Sequence, residues 1–489
     1  MQISIAAGDA LRYETPLLAL FVWEAEALGG PLAGLIEEGD WSGGFKKTLL
    51  LYPRGAIAAR RLVLVGLGKR DAISTDRLRE AGALAAQRAA DLKVAHYAAA
   101  IPTLDGALAT TGLQALVEGS LLGTYRFDRY KSKRAEDEGR TVADLTLLVG
   151  SEDDAVAHAV RQGEAVAGGV QLARDLANAP GNEVTPIRLA EVAQSIGERY
   201  GMQVTVLGLD ELREQGFGGI IGVGQGSQQP PRFIVLQHGQ PGNGVPTVCL
   251  VGKGITFDTG GISIKPAEKM EDMKMDMGGA AAVLGAMQVV GELKLPLHVV
   301  ALISAAENMP SGNAYKPGDI LTTLSGKTIE VINTDAEGRI VLADALFYAQ
   351  RFQPQAIIDL ATLTGGVSVA LGPHAIGLVS NNDDISQRVL AAADESGERA
   401  WRLPLWEPYL DMVKSDIADV KNSAGRAAST ITGGAFLANF VGDYPWAHLD
   451  IASTAWVERP HKAYTVKGAT GIGVRLVVQL LRSWAGRTA

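Results

Sequence analysis

Short, uninterrupted hydrophobic runs recur along this chain, separated by longer stretches in which apolar residues follow a helical period. Such a run, bounded by glycine, proline or charged residues, is typical of a strand that a sheet buries on both faces. Strands that alternate with helices predict an α/β fold with a mixed, largely parallel sheet flanked by helices. In the first part of the chain, the pattern predicts a helix at 75–92 and strands at 61–66, 94–99 and 142–149.

The same alternation continues after residue 200. The predicted helices are 278–293, 339–350 and 434–441, and the predicted strands are 204–207, 232–236, 247–251, 299–304, 328–332 and 356–360. We therefore expect a smaller N-terminal α/β domain at 1–150 and a larger α/β domain at 179–489. A long helix within 151–178, ended by Asn-Ala-Pro-Gly at 178–181, is the expected linker.

Composition narrows the class of protein. The chain has 489 residues, of which 47% are hydrophobic and 20% charged, as in an ordinary globular protein. One cysteine, Cys249, lies in an apolar run, which predicts a buried thiol in a reducing compartment. No apolar run approaches the roughly 18 residues of a membrane span, and the first residues lack the layout of a signal peptide. We therefore expect a cytoplasmic protein that does not bind membranes.

The net negative charge of the chain arises entirely after residue 150. The first 150 residues carry 18 basic and 18 acidic side chains, so the formal net charge of -9 arises after them. An acidic region disfavours non-specific binding of polyanions and is compatible with a site that collects cations.

The strongest group of candidate functional residues is in the run Asn-Thr-Asp-Ala-Glu-Gly-Arg at 333–339, which contains two carboxylates and an arginine. In an extended or looped backbone, residues two apart point the same way, so Asp335 and Glu337 can converge and Arg339 can face the same space. Two carboxylates that close repel each other unless a cation lies between them, which predicts a divalent metal. The run follows the predicted strand 328–332 and precedes a helix, an edge at which α/β sheets form sites.

A second group of candidates follows the strand 247–251. The glycine-rich stretch 252–261 predicts a tight loop that presents Lys253 and Asp258 at the strand end, and Lys265 and Asp276 come next. Asp276 is equally compatible with a metal ligand and with an N-cap of the helix near 278. A lysine binds metal only when neutral, which burial and metal charge would favour.

These side chains predict a two-metal hydrolytic site. Four carboxylates and Lys253 can hold two divalent ions about 3.5–4 Å apart, which polarise a carbonyl and activate water. Lys265 could remain cationic and stabilise an oxyanion, and Arg339 could hold an anion beside the water. On chemistry alone, a two-metal phosphoesterase is an equally valid hypothesis.

The order and spacing of these motifs resemble the leucyl (cytosol) aminopeptidase family, which includes the bacterial aminopeptidases A. The resemblance rests on 251–261, Lys265, Asp276 and 333–339, with further segments at 307–310 and 363–365. It is strong over roughly residues 140–489 and weaker before them.

The resemblance implies an aminopeptidase that uses two divalent metal ions, zinc or manganese, and a bicarbonate ion as general base. The implied ligands of the tighter metal ion are Lys253, Asp258, Asp276 and Glu337, and those of the exchangeable ion are Asp258, Asp335 and Glu337, with the Asp335 carbonyl. The implied catalytic residues are Lys265 and Arg339, and bicarbonate would lie between Arg339 and the backbone of Leu363. The implied pocket for leucine-like or methionine-like side chains comprises Met273, Thr362, Gly365 and Ala452. The resemblance also implies peptide substrates with a free N-terminus and a homohexamer.

Binding to DNA is a separate hypothesis, because some bacterial aminopeptidases A also bind DNA. A basic run could contact phosphates, although nearby acidic residues almost cancel its charge. The run comprises Arg126, Arg129, Lys131, Lys133 and Arg134. Histidine-based zinc hydrolysis is excluded, because the sequence contains no HExxH motif.

Overall fold

The computed structural model describes residues 1–37, 39–106, 108–132, 141–242 and 244–486. The chain divides into two compact units. Unit 1 comprises Met1–Ala167 with Arg459–Val466, and unit 2 comprises Gly168–Glu458 with Lys467–Ala489. The boundary at 167 lies inside the long helix Asp154–Asn178, so the helix predicted there is present, and its role as a linker stays a prediction.

Unit 1 is built on a sheet with the order β1-β6-β5-β2-β4-β3, in which only the β3–β4 pair is antiparallel among the described strands. Its strands are β1 (Gln2–Ala7), β2 (Leu18–Trp23), β3 (Thr48–Leu51), β4 (Leu62–Gly68), β5 (His96–Ala100) and β6 (Asp144–Val149). Its helices are α1 (Thr75–Asp91), α2 (Leu108–Gly123) and the first part of α3 (Asp154–Asn178). One hydrophobic core joins the sheet to α1 and α2.

Close helix packing in unit 1 depends on small residues. A Cβ atom on Gly119 would lie 1.8 Å from the carbonyl oxygen of Arg79, and one on Gly82 would lie 2.3 Å from that of Leu116. The predicted β4, β5, β6 and α1 form with small shifts of their ends, whereas β1, β2, β3 and α2 were missed. β3 has only four residues and β2 is apolar throughout, so neither shows a distinct period, whereas β1 was overlooked although its first four residues alternate polar and apolar.

Unit 2 contains a larger mixed sheet with the order β15-β14-β17-β13-β9-β10-β8-β7. The strands of this unit are β7 (Gln203–Leu207), β8 (Arg232–His238), β9 (Thr247–Asp258), β10 (His298–Asn308), β11 (Ile320–Thr322), β12 (Thr328–Glu330), β13 (Ala356–Ala361), β14 (Ile376–Ser380), β15 (Ala400–Arg402), β16 (Val420–Lys421), β17 (Trp446–Asp450), β18 (Trp456–Val457) and β19 (Gly468–Ala469). The central strands β10, β9, β13 and β17 run parallel, which confirms the predicted mixed α/β architecture.

Helices cover this sheet. They are α4 (Pro186–Tyr200), α5 (Leu209–Gln215), α6 (Gly218–Gly224), α7 (Gly278–Leu293), α8 (Gly338–Ala349), α9 (Gly365–Leu371), α10 (Asp383–Ser396), α11 (Glu407–Asp411), α12 (Ser429–Ala438) and α13 (Val474–Ala485). None of the helices in the described ranges combines the length and the apolar character that crossing a bilayer demands.

Two features of unit 2 differ from the sequence prediction. The glycine-rich stretch after residue 251 is not a loop, because β9 continues to Asp258. Its glycines allow close packing instead, since a Cβ atom on Gly252 would lie 2.7 Å from Ala280 Cα and one on Gly254 would lie 2.9 Å from Ser304 O. The strand before the 333–339 run, β12, belongs to a separate small sheet with β11 and β16 rather than to the main sheet.

Candidate active site

The candidate site lies where β9 and β10 end side by side. Asp258 is the last residue of β9, and it pairs in register with Asn308, the last residue of β10. The Asn308 amide donates to Asp258 Oδ1 (2.8 Å) and to the Thr334 carbonyl (3.0 Å), and therefore ties the strand end to the 333–339 run. Parallel strand ends of this kind are a common location for sites.

Lys253 occupies the buried side of the site. It lies inside β9 rather than at the strand end, so that part of the prediction is wrong. Its Nζ is 2.7 Å from Asp276 and from Glu337 Oε1, and it donates to the Thr362 carbonyl at 2.9 Å. Gly338 leaves room for this side chain, because a Cβ atom there would lie 2.5 Å from Lys253 Cε.

Asp276 is part of the site and does not cap a helix. Met277 occupies the N-cap position of α7, and no side chain caps that end. The Asp276 carboxylate instead accepts hydrogen bonds from Lys253 Nζ and from Thr362 Oγ1, both at 2.7 Å. The N-cap alternative is therefore wrong.

Lys265 occupies the more open side, where it bridges two carboxylates. Its Nζ lies 2.8 Å from Asp258 Oδ2 and also contacts Asp335 Oδ1. Asp258 keeps its orientation because its Oδ1 accepts from the Gly260 N–H (2.9 Å) as well as from Asn308.

The carboxylates of the 333–339 run converge, and the backbone there is looped rather than extended, one of the two forms expected from sequence. The run forms a turn in which the Asp335 N–H donates to Asn333 Oδ1 (2.9 Å), and Glu337 is in the N-cap position of α8 with helical dihedral angles. One oxygen from each of Asp258, Asp335 and Glu337 lies within 4.8 Å of the others. The predicted convergence is thus present.

Negative charge is in excess at this site. Burial and, next, the negative charge of Glu337 together raise the pKa of Asp258 to about 6, although Lys265 and Lys253 act to lower it. Burial likewise raises the pKa values of Asp276 and Asp335. Although burial acts in the same sense on Glu337, the two lysines outweigh it and lower that pKa.

Both lysines of the site, Lys253 and Lys265, are cationic next to these carboxylates. Burial acts to lower the pKa of Lys253, but the neighbouring carboxylates, first Asp276 and Glu337, raise it well above its ordinary value. Lys265 is shifted in the same direction, chiefly by Asp258. Two ammonium groups against four carboxylates leave a negative surplus in a buried pocket, which is costly unless a further cation is present.

The residues fit a pair of divalent cations on the chemistry of their donor atoms. Carboxylate oxygens and an amine nitrogen are accepted by zinc and manganese. The ammonium groups of Lys253 and Lys265 already lie between pairs of these carboxylates, at positions where positive charge is stabilised. All six residues of this set, which we call the carboxylate site, were predicted from sequence: Lys253, Asp258, Lys265, Asp276, Asp335 and Glu337.

Arg339 lies beside an open cavity of about 840 Å³, whose lining includes Asp335, Leu363 and Gly365. Its Nε is buried without a hydrogen-bond partner, and within the described ranges its guanidinium forms no ion pair. Burial lowers the pKa of Arg339 to about 10, against the charges of Glu337 and Asp450, so the group is cationic at neutral pH.

Two of the four predicted pocket residues lie next to the site. Thr362 contacts Asp276 directly, and Gly365, which begins α9, lines the cavity beside Arg339. Met273 is on the 3-10 helix Met270–Met277 that carries Asp276, and the Ala452 N–H donates to Asp450 Oδ1 at 3.2 Å. The role of all four in substrate binding stays a prediction.

Sequence reasoning missed several residues that organise the site. Tyr315 donates its hydroxyl to the Thr334 carbonyl at 2.8 Å, and Asn308 contacts the same oxygen. Asp450, the last residue of β17, accepts hydrogen bonds from Leu363 and Thr364. A polar residue that ends an apolar run, as Asn308 and Asp450 do, was the available signal.

Comparisons with known proteins agree with this geometry. Residues 171–478 match the catalytic domain of the cytosol aminopeptidase family, and residues 21–134 match the N-terminal domain of that family. A probable cytosol aminopeptidase from Roseiflexus castenholzii is 61% identical over 486 residues, which cover 99% of each chain. One from Geobacter sp. is 46% identical, over 99% of this chain and 100% of its own length.

Two solved structures share the fold. The bottromycin maturation enzyme BotP in complex with Mn is 34% identical, with a TM-score of 0.87, over 96% of this chain and 99% of its own. A tomato leucine aminopeptidase mutant is 36% identical, with a TM-score of 0.87, over 98% of this chain and 96% of its own. Since both family domains match in order and a relative is 61% identical over almost the full length, the chain belongs to the cytosol aminopeptidase family and is a peptidase.

Proposed function

We propose that this peptidase removes leucine-like and methionine-like residues from the free N-terminus of peptides, at a site that holds two divalent metal ions. The observation that carries the proposal is the carboxylate site, in which oxygens of Asp258, Asp335 and Glu337 lie within 4.8 Å of one another in a pocket with surplus negative charge. Family membership favours peptide hydrolysis over the phosphoesterase alternative.

The proposed ligands divide into two overlapping sets. Lys253, Asp258, Asp276 and Glu337 would hold the tighter ion, and Asp258, Asp335 and Glu337 the exchangeable one. Zinc and manganese both suit these donor atoms. When bound, such a pair polarises a carbonyl group and lowers the pKa of water to near neutrality. Lys253 would have to give up its proton to serve as a ligand.

Lys265 is the proposed oxyanion stabiliser. Its ammonium group is only partly buried, and it faces the open side of the carboxylate site between Asp258 and Asp335. A fixed positive charge there would stabilise the negative charge that develops on the carbonyl oxygen of the scissile bond. The raised pKa of Lys265 keeps it protonated throughout the neutral range.

Arg339 is the proposed holder of a bicarbonate ion, next to the backbone of Leu363. The guanidinium lacks a protein counter-ion within 4 Å in the described ranges and lines the cavity together with Leu363. A planar guanidinium can bind a carboxylate-like anion through two parallel hydrogen bonds. The bound anion would accept the proton of the attacking water.

Specificity for the N-terminus would arise next to Asp276. We propose that the neutral α-amine of the substrate enters beside this carboxylate, and that its side chain enters a pocket of Met273, Thr362, Gly365 and Ala452. These residues are apolar or small, which suits an unbranched or γ-branched aliphatic side chain.

Three further parts of the proposal have separate grounds. Assembly into homohexamers rests on the resemblance to the family alone, and a cytoplasmic location rests on the composition of the chain. The division into an N-terminal domain for assembly or access, a linker helix at 151–178 and a catalytic domain at 179–489 rests on the pattern of elements along the sequence. Size-exclusion chromatography with light scattering would test the assembly, and a mass near that of six chains is expected.

DNA binding is the weaker proposal. Arg126 lies 3.5 Å from Asp128, and Arg129 stacks on Phe127 with its guanidinium 4.9 Å from the ring centre, so both side chains already have protein contacts. Lys133 and Arg134 lie outside the described residues. The absence of a gel shift with duplex DNA at low salt would dismiss this hypothesis.

Hydrolysis of leucine p-nitroanilide tests the main proposal. Chelated protein should be inactive, and Mn²⁺ or Zn²⁺ should restore activity. The matched control is N-acetyl-leucine p-nitroanilide, which lacks the free amine and should not be cleaved. Equal cleavage of both substrates, or no metal-restored cleavage of the first, would contradict the proposal.

A further inference from the structure

Asp450 is a residue to which neither the family resemblance nor the proposed mechanism assigns a role. This carboxylate ends β17 and is fully buried. Its Oδ1 accepts hydrogen bonds from the backbone N–H groups of Leu363 and Ala452, both at 3.2 Å, and its Oδ2 accepts from Thr364 Oγ1 at 2.6 Å. One side chain therefore joins the segment after β13 to the segment after β17.

The segment after β13 is held from a second side as well. The Thr364 hydroxyl lies 2.9 Å from Thr430 Oγ1, near the start of α12, and accepts from the Val367 N–H at 3.3 Å as the N-cap of α9. Through Thr364, the hydrogen bonds of Asp450 thus extend to two helices that border the cavity containing Arg339. The backbone of Leu363 has little freedom to move while these bonds exist.

The chemistry of the surrounding groups explains a carboxylate at this position. All three contacts donate to Asp450, and an ionised carboxylate offers only acceptors. Burial of a charge without such partners would be unfavourable. The negative charge of Asp450 also acts on Arg339, where it favours the charged guanidinium.

We propose that Asp450 is a positioning residue for the anion site formed by Arg339 and Leu363. It fixes the connection between β13 and α9 at Leu363 and Thr364, here called the Leu363 turn, at the distance from the guanidinium that an anion of bicarbonate size requires. This inference rests on the proposed function, because it concerns the anion that serves as general base. Asp450 does not itself contact the cavity, so its effect is transmitted through Leu363 and Thr364.

The test measures how hydrolysis of leucine p-nitroanilide depends on added bicarbonate, in carbonate-depleted buffer with Mn²⁺ present. In Asp450→Ala, the Leu363 and Ala452 N–H groups lose their acceptor, and the turn shifts. We expect kcat at low bicarbonate to fall about 10²-fold, as for a misplacement of about 1 Å in a reacting group. The bicarbonate concentration for half-maximal activity should rise at least tenfold.

Asp450→Asn serves as the conservative variant. Its side-chain oxygen can accept from Leu363 and Ala452, and its amide can donate to Thr364 Oγ1, so the turn should keep its place. We expect a half-saturating bicarbonate concentration within about threefold of the unsubstituted protein. Thr364→Val leaves Asp450 in place but removes the Thr364 hydroxyl, and with it one of the three hydrogen bonds to Asp450 as well as those with Thr430 and Val367. It should shift the bicarbonate dependence in the same direction as Asp450→Ala, by less.

The matched control is Asp344→Ala. Asp344 is also a buried carboxylate that accepts from backbone N–H groups, those of Leu324 (2.8 Å) and Ile220 (3.0 Å), but it does not line the cavity. A purely structural role for Asp450 predicts that Asp450→Ala and Asp344→Ala both lose stability while keeping the original bicarbonate dependence. That result, or an unchanged dependence in Thr364→Val if Asp450→Ala does not fold, would overturn the inference. Absence of metal-restored hydrolysis in the unsubstituted protein would instead overturn the proposed function.

Discussion

Both units of this chain contain a cluster of charged side chains that are mostly buried or partly buried, with Lys46 the most exposed at 41%, and the two clusters differ in their charge balance. In unit 1, Arg79 pairs with Glu118 at 2.7 Å, Lys462 with Asp76 at 2.9 Å and Lys46 with Glu80 at 2.6 Å. We call these six residues the N-terminal charge cluster. Three cations face three anions there, whereas the carboxylate site of unit 2 has two cations for four anions.

The pKa values of the carboxylates in the two clusters differ in the way that this charge balance predicts. In the N-terminal charge cluster, burial acts to raise the pKa of Asp76, but Lys462 and Arg79 outweigh it and hold the pKa below its ordinary value. In the carboxylate site, the pKa of Asp258 is raised to about 6 in spite of two adjacent lysines. A balanced cluster is complete by itself and stabilises the fold. An unbalanced one indicates a place for additional cations, which is why we assign chemistry to the second cluster only.

The largest expected effect is that of Glu337→Ala. Glu337 contacts Lys253 and shares the oxygen cluster with Asp258 and Asp335. Since bound metal stabilises transition-state charge by several kcal/mol, kcat/KM should fall by about 10³-fold or more. Steady-state hydrolysis of leucine p-nitroanilide with Mn²⁺ measures it. Activity within tenfold of the unsubstituted protein would remove Glu337 from the metal site.

Glu118→Ala addresses the N-terminal charge cluster. It leaves the buried Arg79 without its closest carboxylate, so the free energy of unfolding should fall by about 3–5 kcal/mol. Urea denaturation measures this change, and kcat of the folded fraction should stay the same. The control is Glu191→Ala, which breaks a half-exposed pair with Arg188 and should cost less than about 1 kcal/mol. A loss of kcat in Glu118→Ala would mean that the cluster is not purely structural.

Lys265→Met and Lys462→Met compare the two clusters directly, because each removes one lysine from one of them. Loss of the ammonium that faces the scissile carbonyl should lower kcat by about 10²–10³-fold. Lys462→Met removes a lysine from the balanced cluster and should lower stability while leaving kcat unchanged. If the two variants had equal kcat values, Lys265 would have no role in stabilising the oxyanion.

The last prediction concerns stability alone, which changes gradually with pH: Asp344 is a fully buried carboxylate that forms no ion pair among the described residues. Burial raises the pKa of Asp344 to about 7, against the backbone N–H groups that lower it. The folded state therefore binds more protons than the unfolded state between the unfolded pKa, about 3.9, and the folded value. Stability should fall as pH rises through this window, by at most about 1.4 kcal/mol per pH unit, and should level off above it.

Asp344→Asn should remove that part of the pH dependence. The substitution should also lower stability overall, because the amide NH2 would face a backbone donor. Urea denaturation of both proteins at several pH values between 4 and 8 gives the difference. A difference in stability that does not change with pH would contradict the assigned pKa.

The carboxylate site could be predicted from sequence because its members are unusual locally. Asp258 and Asp276 lie among glycines and methionines, and Asp335, Glu337 and Arg339 are spaced closely in one run. The expected backbone nevertheless differed in two places, since the stretch after residue 251 is a strand and the strand before the 333–339 run belongs to a separate small sheet. The charged residue types were enough to predict which side chains come together. The backbone conformation after residue 251 depends instead on the packing of β9 against α7 and β10.

Residues that act through long-range pairing could not be predicted in this way. Asp450 reaches Leu363 only because β17 lies beside β13, with Ala361 opposite Asp450. Lys462 meets Asp76 across 386 residues of sequence. A single sequence contains no local signal for either contact, since both depend on the order of strands and on the path of a distant segment.

Titration of chelated protein with Mn²⁺ by calorimetry, for the unsubstituted chain and for Glu337→Ala, tests the central claim most directly. If the surplus charge of the carboxylate site exists to hold a pair of cations, the unsubstituted protein should bind two ions per chain. Glu337→Ala should lose at least one of them, while Glu118→Ala, in the balanced cluster, should still bind two. No binding to the unsubstituted protein, or the same two ions bound with equal affinity in Glu337→Ala, would contradict the account.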